Sequence, residues 1–201
     1  MKAAFVLMGM MLGLGAHGLA QKSQPAGSSQ WKTMIADDFK HGISINVFNL
    51  DGKYVQPPAE TGPLTPRLSI SCSGKKLGGA NIVLGTAIAY GKGPAGSGSH
   101  DPKGAPRIRV GMQWDDKKTP DEVWGELTND GRVVYLDQNQ TLKLLTGYPG
   151  GPKGAPHGYV DRQSVSVVDA LGDRIVMQFD LPKDSAGLEH MCGLETWIKS
   201  R

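Results

Sequence analysis

The side chains best equipped for chemistry in this chain are two thiols, Cys72 and Cys192, its only cysteines. Neither lies in a C-x-x-C motif. His41, His100 and His157 sit in polar or Gly/Pro surroundings that would not activate a thiolate. His190 stands close to Cys192, but a zinc ion would still need a fourth ligand. That leaves pairing with each other, provided the chain reaches an oxidising compartment. The competing reading is a pair of buried free thiols.

Carboxylates come next. Asp37-Asp38, Asp115-Asp116 and Asp121-Glu122 are adjacent acidic pairs. Glycoside hydrolysis needs two carboxylates facing one another. Neighbours on an extended chain point to opposite faces, so no pair can meet that need alone. Acids in turns and loops read as solvated surface groups. Asn129-Asp130-Gly131 is too short for a calcium loop. A Ser/His/Asp triad would have to be assembled from distant positions, since no G-x-S-x-G elbow occurs; Gly96-Ser97-Gly98 reads as a flexible loop. No phosphate-binding or dinucleotide fingerprint is present. The chain therefore reads as a non-enzyme, with no catalytic, cofactor or metal site to name.

Aromatic and cationic side chains remain for binding. Trp31, Trp114, Trp124 and Trp197 could build a sugar platform. Trp114 continues a buried alternation and reads as core, whereas Trp124 fits either role. Pro102-Lys103-Gly104-Ala105-Pro106 recurs as Pro152-Lys153-Gly154-Ala155-Pro156. Both copies lie in Gly/Pro loops, 91–106 and 147–161. Lys103, Lys153 and Trp124 are the candidate interaction residues. The plainer reading of the two loops is tolerated low-complexity insertion. A net charge of +3 without a clustered basic face argues against nucleic acid.

The compartment is written in the first twenty residues. Lys2 precedes the uncharged apolar run Ala3–Leu14, and Gly18-Leu19-Ala20 places small residues before Gln21. This is the layout of a secretory signal peptide cleaved near Ala20. The rival reading is a retained anchor, but glycines and His17 interrupt a stretch short of ~20 apolar residues. No second run of spanning length follows. The chain thus divides into a signal peptide (1–20), a flexible polar linker (21–30) and one β-rich domain (31–201). Its location would be periplasmic or secreted, where an even cysteine count implies a Cys72–Cys192 bridge.

The elements that must carry these residues follow from period-2 patterns. Ile43–Val47, Leu68–Cys72, Ile82–Tyr90, Arg107–Trp114, Val123–Leu127, Arg132–Leu136, Gln163–Val168 and Arg174–Leu181 read as strands. Asn49–Gly52, Ser73–Lys75, Asn129–Gly131 and Leu171–Asp173 read as turns, and Gln56–Pro66 as a loop. Leu142, Leu144 and Leu145 suggest one short internal helix. Leu188, Met191, Cys192 and Glu195 suggest a short C-terminal helix capped by Asp184 or Ser185. Gly and Pro number 28 and 13, well above background and suited to many turns. The expected fold is mostly β: a single antiparallel sandwich or barrel-like domain.

Taken in order, the segments Trp31 with Asp37-Asp38, Pro66–Cys72, Gln113–Asp116, Trp124 with Thr128-Asn129-Asp130, Gln178–Leu181, and Leu188 with Met191-Cys192-Gly193 resemble a known group. They are similar to the periplasmic accessory proteins of type VI secretion (the VasI/TagO-like family). Members pair a strand Cys with a C-terminal Cys-Gly-Trp and carry a strand, an Asp-Asp turn and a Trp between. Leu194 departs from that pattern, standing where the aromatic would be, and loops 91–106 and 147–161 are longer. The resemblance implies an envelope accessory role, a partner that is another envelope protein, and no transferable catalytic centre. The alternative class is an envelope carbohydrate-binding module or hydrolase. It would require a pocket at Trp124 with convergent carboxylates; exposed strand edges would instead favour binding by strand addition.

Overall fold

Alternation of side chains along extended segments organises the whole domain. The computed structural model describes residues 30–38, 43–58, 65–88, 98–100, 106–114, 119–147, 160–168, 172–182 and 186–194. Within them lie β1 (Lys32–Asp38), β2 (Ile43–Asp51), β3 (Lys53–Gln56), β4 (Arg67–Ser73), β5 (Lys76–Val83) and β6 (Gly98–His100). Then come β7 (Pro106–Trp114), β8 (Asp121–Leu127), β9 (Val133–Leu136), α1 (Gln138–Thr146), β10 (Arg162–Val168), β11 (Arg174–Asp180) and α2 (Ala186–Cys192). Ten strands run in the order β1-β2-β4-β5-β9-β8-β7-β10-β11-β3, and β6 pairs with β7. Every pairing is antiparallel.

The order holds a geometric consequence. Gly52 alone separates β2 from β3, yet β3 ends the order and β2 stands near its start. The sheet therefore curls until both ends meet one continuous length of chain, though the ladder itself does not close into a barrel. Gly52 is required at that seam. A Cβ there would lie 2.5 Å from Phe179 Cε1 and 2.9 Å from the Gln178 carbonyl. Two ion clusters flank it. Asp51 accepts from Lys32 Nζ at 2.5 Å and from Arg67 Nε at 3.0 Å, linking β1, β2 and β4. Asp180 accepts from Arg162 Nε at 3.0 Å and faces Lys53 Nζ at 3.6 Å, linking β11, β10 and β3.

The core fills the curl. Leu68, Ile70 and Cys72 on β4, Ile108, Val110 and Met112 on β7, and Ile175, Met177 and Phe179 on β11 are all buried. Arg67, Arg109 and Arg174 on the same strands face water. Helix α1 packs against β5 and β9, adding Leu142, Leu144 and Leu145 to the core. Asp137 caps its start through a reciprocal pair: Gln140 N donates to Asp137 Oδ1, and Asp137 N donates to Gln140 Oε1, both at 2.9 Å. Gly147 ends the helix at φ 74°. The Trp114 ring lies against Gly147, 2.8 Å from where a Cβ would sit. Trp114 is thus half-buried against the core, close to its expected place.

Cys192, at the end of α2, is bonded to Cys72 on β4, with Cα atoms 5.1 Å apart. Gly193 has φ 66°, and a Cβ there would meet the Lys75 carbonyl at 2.1 Å. Leu194 is buried, so an apolar side chain fills the place where the resemblance would put an aromatic residue after Cys-Gly.

Three expectations change in detail. The strand expected over 82–90 ends at Val83 and starts earlier, at Lys76, because the Gly74-Lys75 turn returns the chain directly onto β4. Asn49, Leu50 and Asp51 are strand residues paired with β4, not a turn; only Gly52 breaks the extended run. β1 is a strand that the period-2 patterns do not announce, since Lys32–Ile35 are wet on both faces and show no apolar alternation. The expected cap residues Asp184 and Ser185 lie outside the described residues.

Candidate functional site

Trp124 occupies the outer face of β8, between Glu122 and Glu126, while Gly125 and Leu127 point inward. Its strand neighbour across the ladder is Arg109 on β7. The Arg109 guanidinium carbon lies 5.3 Å from the Trp124 ring centroid, a cation–π contact worth about 0.5–1 kcal/mol at an exposed site. Glu122 holds the same guanidinium at 3.4 Å, an exposed ion pair that adds between zero and about 1 kcal/mol. Gln140 Nε2 donates to the Trp124 carbonyl at 2.7 Å and ties the strand to α1.

Tyr135 on β9 extends this face. It stands opposite Glu126, so Trp124 and Tyr135 are diagonal neighbours on one surface. Gly79 lies beneath the tyrosine: a Cβ there would be 2.8 Å from Tyr135 Oη. Arg107 stands opposite Glu126, and its Nε is buried without a hydrogen-bond partner among the described residues. The result is a mixed aromatic and charged surface. Two carboxylates, Glu122 and Glu126, flank Trp124 on this face; Glu122 pairs with Arg109, while Asp121 pairs with Lys143 on α1 at 3.1 Å. The acidic pair Asp121-Glu122 therefore splits to two faces, as extended geometry requires. No group of three His, Cys, Asp or Glu among the described residues is placed to hold a metal ion.

The second candidate surface is the pair of sheet ends. β1 and β3 terminate the strand order. Met34 and Ile35 on β1 are 61% and 63% exposed, and Val55 on β3 is 59% exposed. Tyr135 is the remaining large apolar side chain exposed among the described residues. Exposed apolar surface is thus concentrated where backbone donors and acceptors lack a strand partner, a feature that ordinary domains suppress.

The two carboxyls beside the seam are held by their partners. The hydrogen bond from Lys32, aided by Arg67, holds Asp51 below the ordinary aspartate range against the opposing effect of burial. Burial raises Asp180, but hydrogen bonds from Gln178 and Arg162 outweigh it and leave that carboxyl lowered too. Desolvation raises Tyr54, whose hydroxyl donates to the Leu84 carbonyl.

Of the sequence-derived residues, the structure brings Cys72 and Cys192 together and leaves Trp124 half-buried on the outer face of β8. Lys103 and Lys153, with the loops that carry them, lie outside the described residues. Sequence patterns do not single out Arg109, Tyr135, Met34 or Ile35. A cross-strand partner is invisible without register, and Lys32–Asp38 lacks the period-2 signal. No helix among the described residues is long and apolar enough to cross a membrane. No family model, curated protein or solved structure matches the chain.

Proposed function

We propose that this is an exported, non-enzymatic accessory protein of the cell envelope, working by binding another envelope protein and tied to type VI secretion. The observation that carries the binding role is the concentration of exposed apolar side chains on the terminal strands: Met34, Ile35 and Val55. An unpaired strand edge offers main-chain hydrogen bonds, and side chains beside it select the partner. The cysteine bridge fits an oxidising compartment. The tie to type VI secretion rests on the motif resemblance alone. A carbohydrate-binding role has one observation in its favour, the Trp124–Tyr135 face with its flanking arginines.

The test is site-specific photo-crosslinking in cells. A photoreactive residue is placed at 35, at 55 and, as a control, at exposed position 174. The binding reading expects adducts with a different envelope protein from an edge position and none from 174. Adducts with no protein other than the chain itself, or release of sugar from envelope polymers by the purified chain, would overturn it.

A further inference from the structure

β1 is an edge strand with both faces in water over Lys32–Ile35. Among the described residues its strand neighbour is β2 alone. Its sequence is Lys-Thr-Met-Ile-Ala-Asp-Asp. Read antiparallel against itself about Ile35, this segment is self-complementary. Lys32 falls opposite Asp38, Thr33 opposite Asp37, Met34 opposite Ala36, and Ile35 opposite Ile35. We propose that β1 pairs with β1 of a second copy in this register, about a two-fold axis at Ile35. The inference rests on reading the sheet edges as binding surfaces and names the occupant of one of them.

The pairing has a sign on each face. Directly opposed residues share a face in an antiparallel ladder. One face would carry Ile35 against Ile35 with Thr33 beside Asp37. The other would set Met34 opposite Ala36 twice and Lys32, which also holds Asp51 of its own chain, opposite Asp38 twice. Sliding one residue toward Asp38 sets Met34 against Asp37 and leaves Lys32 without its opposite. Only the register centred on Ile35 pairs all seven positions. An isologous contact of this kind closes on itself and does not propagate into fibres. The second edge, β3, is four residues long and has no such palindrome. A seven-residue strand pair buries little area, so the dimer should be reversible and concentration-dependent.

The experiment is sedimentation equilibrium on the protein expressed from its full sequence. The parent should dimerise reversibly. Lys32→Asp and Asp38→Lys should each weaken self-association about tenfold, because both charge pairs become repulsive. An equimolar mixture of the two variants should recover parent-like association, since each mixed dimer restores both oppositions of unlike charge. Misfolding cannot produce that rescue. Ile35→Lys should leave a monomer that melts like the parent. A parent that stays monomeric up to about 1 mM, or a mixture no tighter than its components, would overturn the proposal. A monomeric parent whose position 35 captures a different envelope protein would overturn self-pairing and leave the binding role standing.

Discussion

Val110 and Arg109 are neighbours on β7 with opposite fates, and they show how far single positions can be reasoned about. Val110 is fully buried and Arg109 is exposed. Val110→Ala should destabilise by about 1–3 kcal/mol, from lost transfer free energy and the space left behind. Arg109→Ala removes one exposed ion pair and one cation–π contact and should lie near ±0.5 kcal/mol. Chemical denaturation of both variants decides it; equal losses would mean that β7 is in the wrong register. Gly52 is the other telling position. Its Cβ would collide with the Phe179 ring and the Gln178 backbone, and the latter cannot rotate away. Gly52→Ala should therefore lower stability by about 1–3 kcal/mol, as overpacking does. The Asp51-Gly52 pair does mark a special point in the chain, but that point is not a hairpin turn. Local rules cannot see that β11 returns to lie against it.

Elements whose two faces differ in polarity are legible in the amino-acid sequence. β4, β7, β10 and β11 each bury alternate residues, and alternation is what the sequence displays. Helix α1 is legible from its leucines, although they do not locate the Asp137–Gln140 cap that fixes its start. β1 is not legible, because an edge strand wetted on both faces has no apolar period to show. Pairings are out of reach as well, since β5 meets β9 only after the chain has visited β7 and β8. The ion clusters beside Gly52 belong to this scale, for each joins three strands. Asp51 and Asp180 are held below the ordinary aspartate range, so folding favours their ionised forms. The stability they add is present at neutral pH and is lost as pH falls through their folded values, below about 4. Both carboxyls are partly exposed, so each adds less than about 1 kcal/mol. Thermal melts of an Asp51→Asn, Asp180→Asn double variant should fall less steeply than the parent's between about pH 5 and pH 3.

At the scale of the molecule, the seam at Gly52 and the bridge at Cys72 hold the curled sheet together. The bridge ties residues 120 apart and pins α2 onto β4. Loop closure of that length should stabilise by about 4–5 kcal/mol on the chain-entropy account, so Cys72→Ser should melt well below the parent in oxidising buffer. In reducing buffer the two should converge, because the parent then lacks the bridge too. The central claim is that an exported chain acquires this staple outside the cytoplasm and folds around it. Intact-mass analysis of the protein recovered from expressing cells tests it most directly. The account predicts a chain that begins at Gln21 and is lighter by two hydrogens than its reduced form. A chain that still carries Met1–Ala20 and two alkylatable thiols would contradict it.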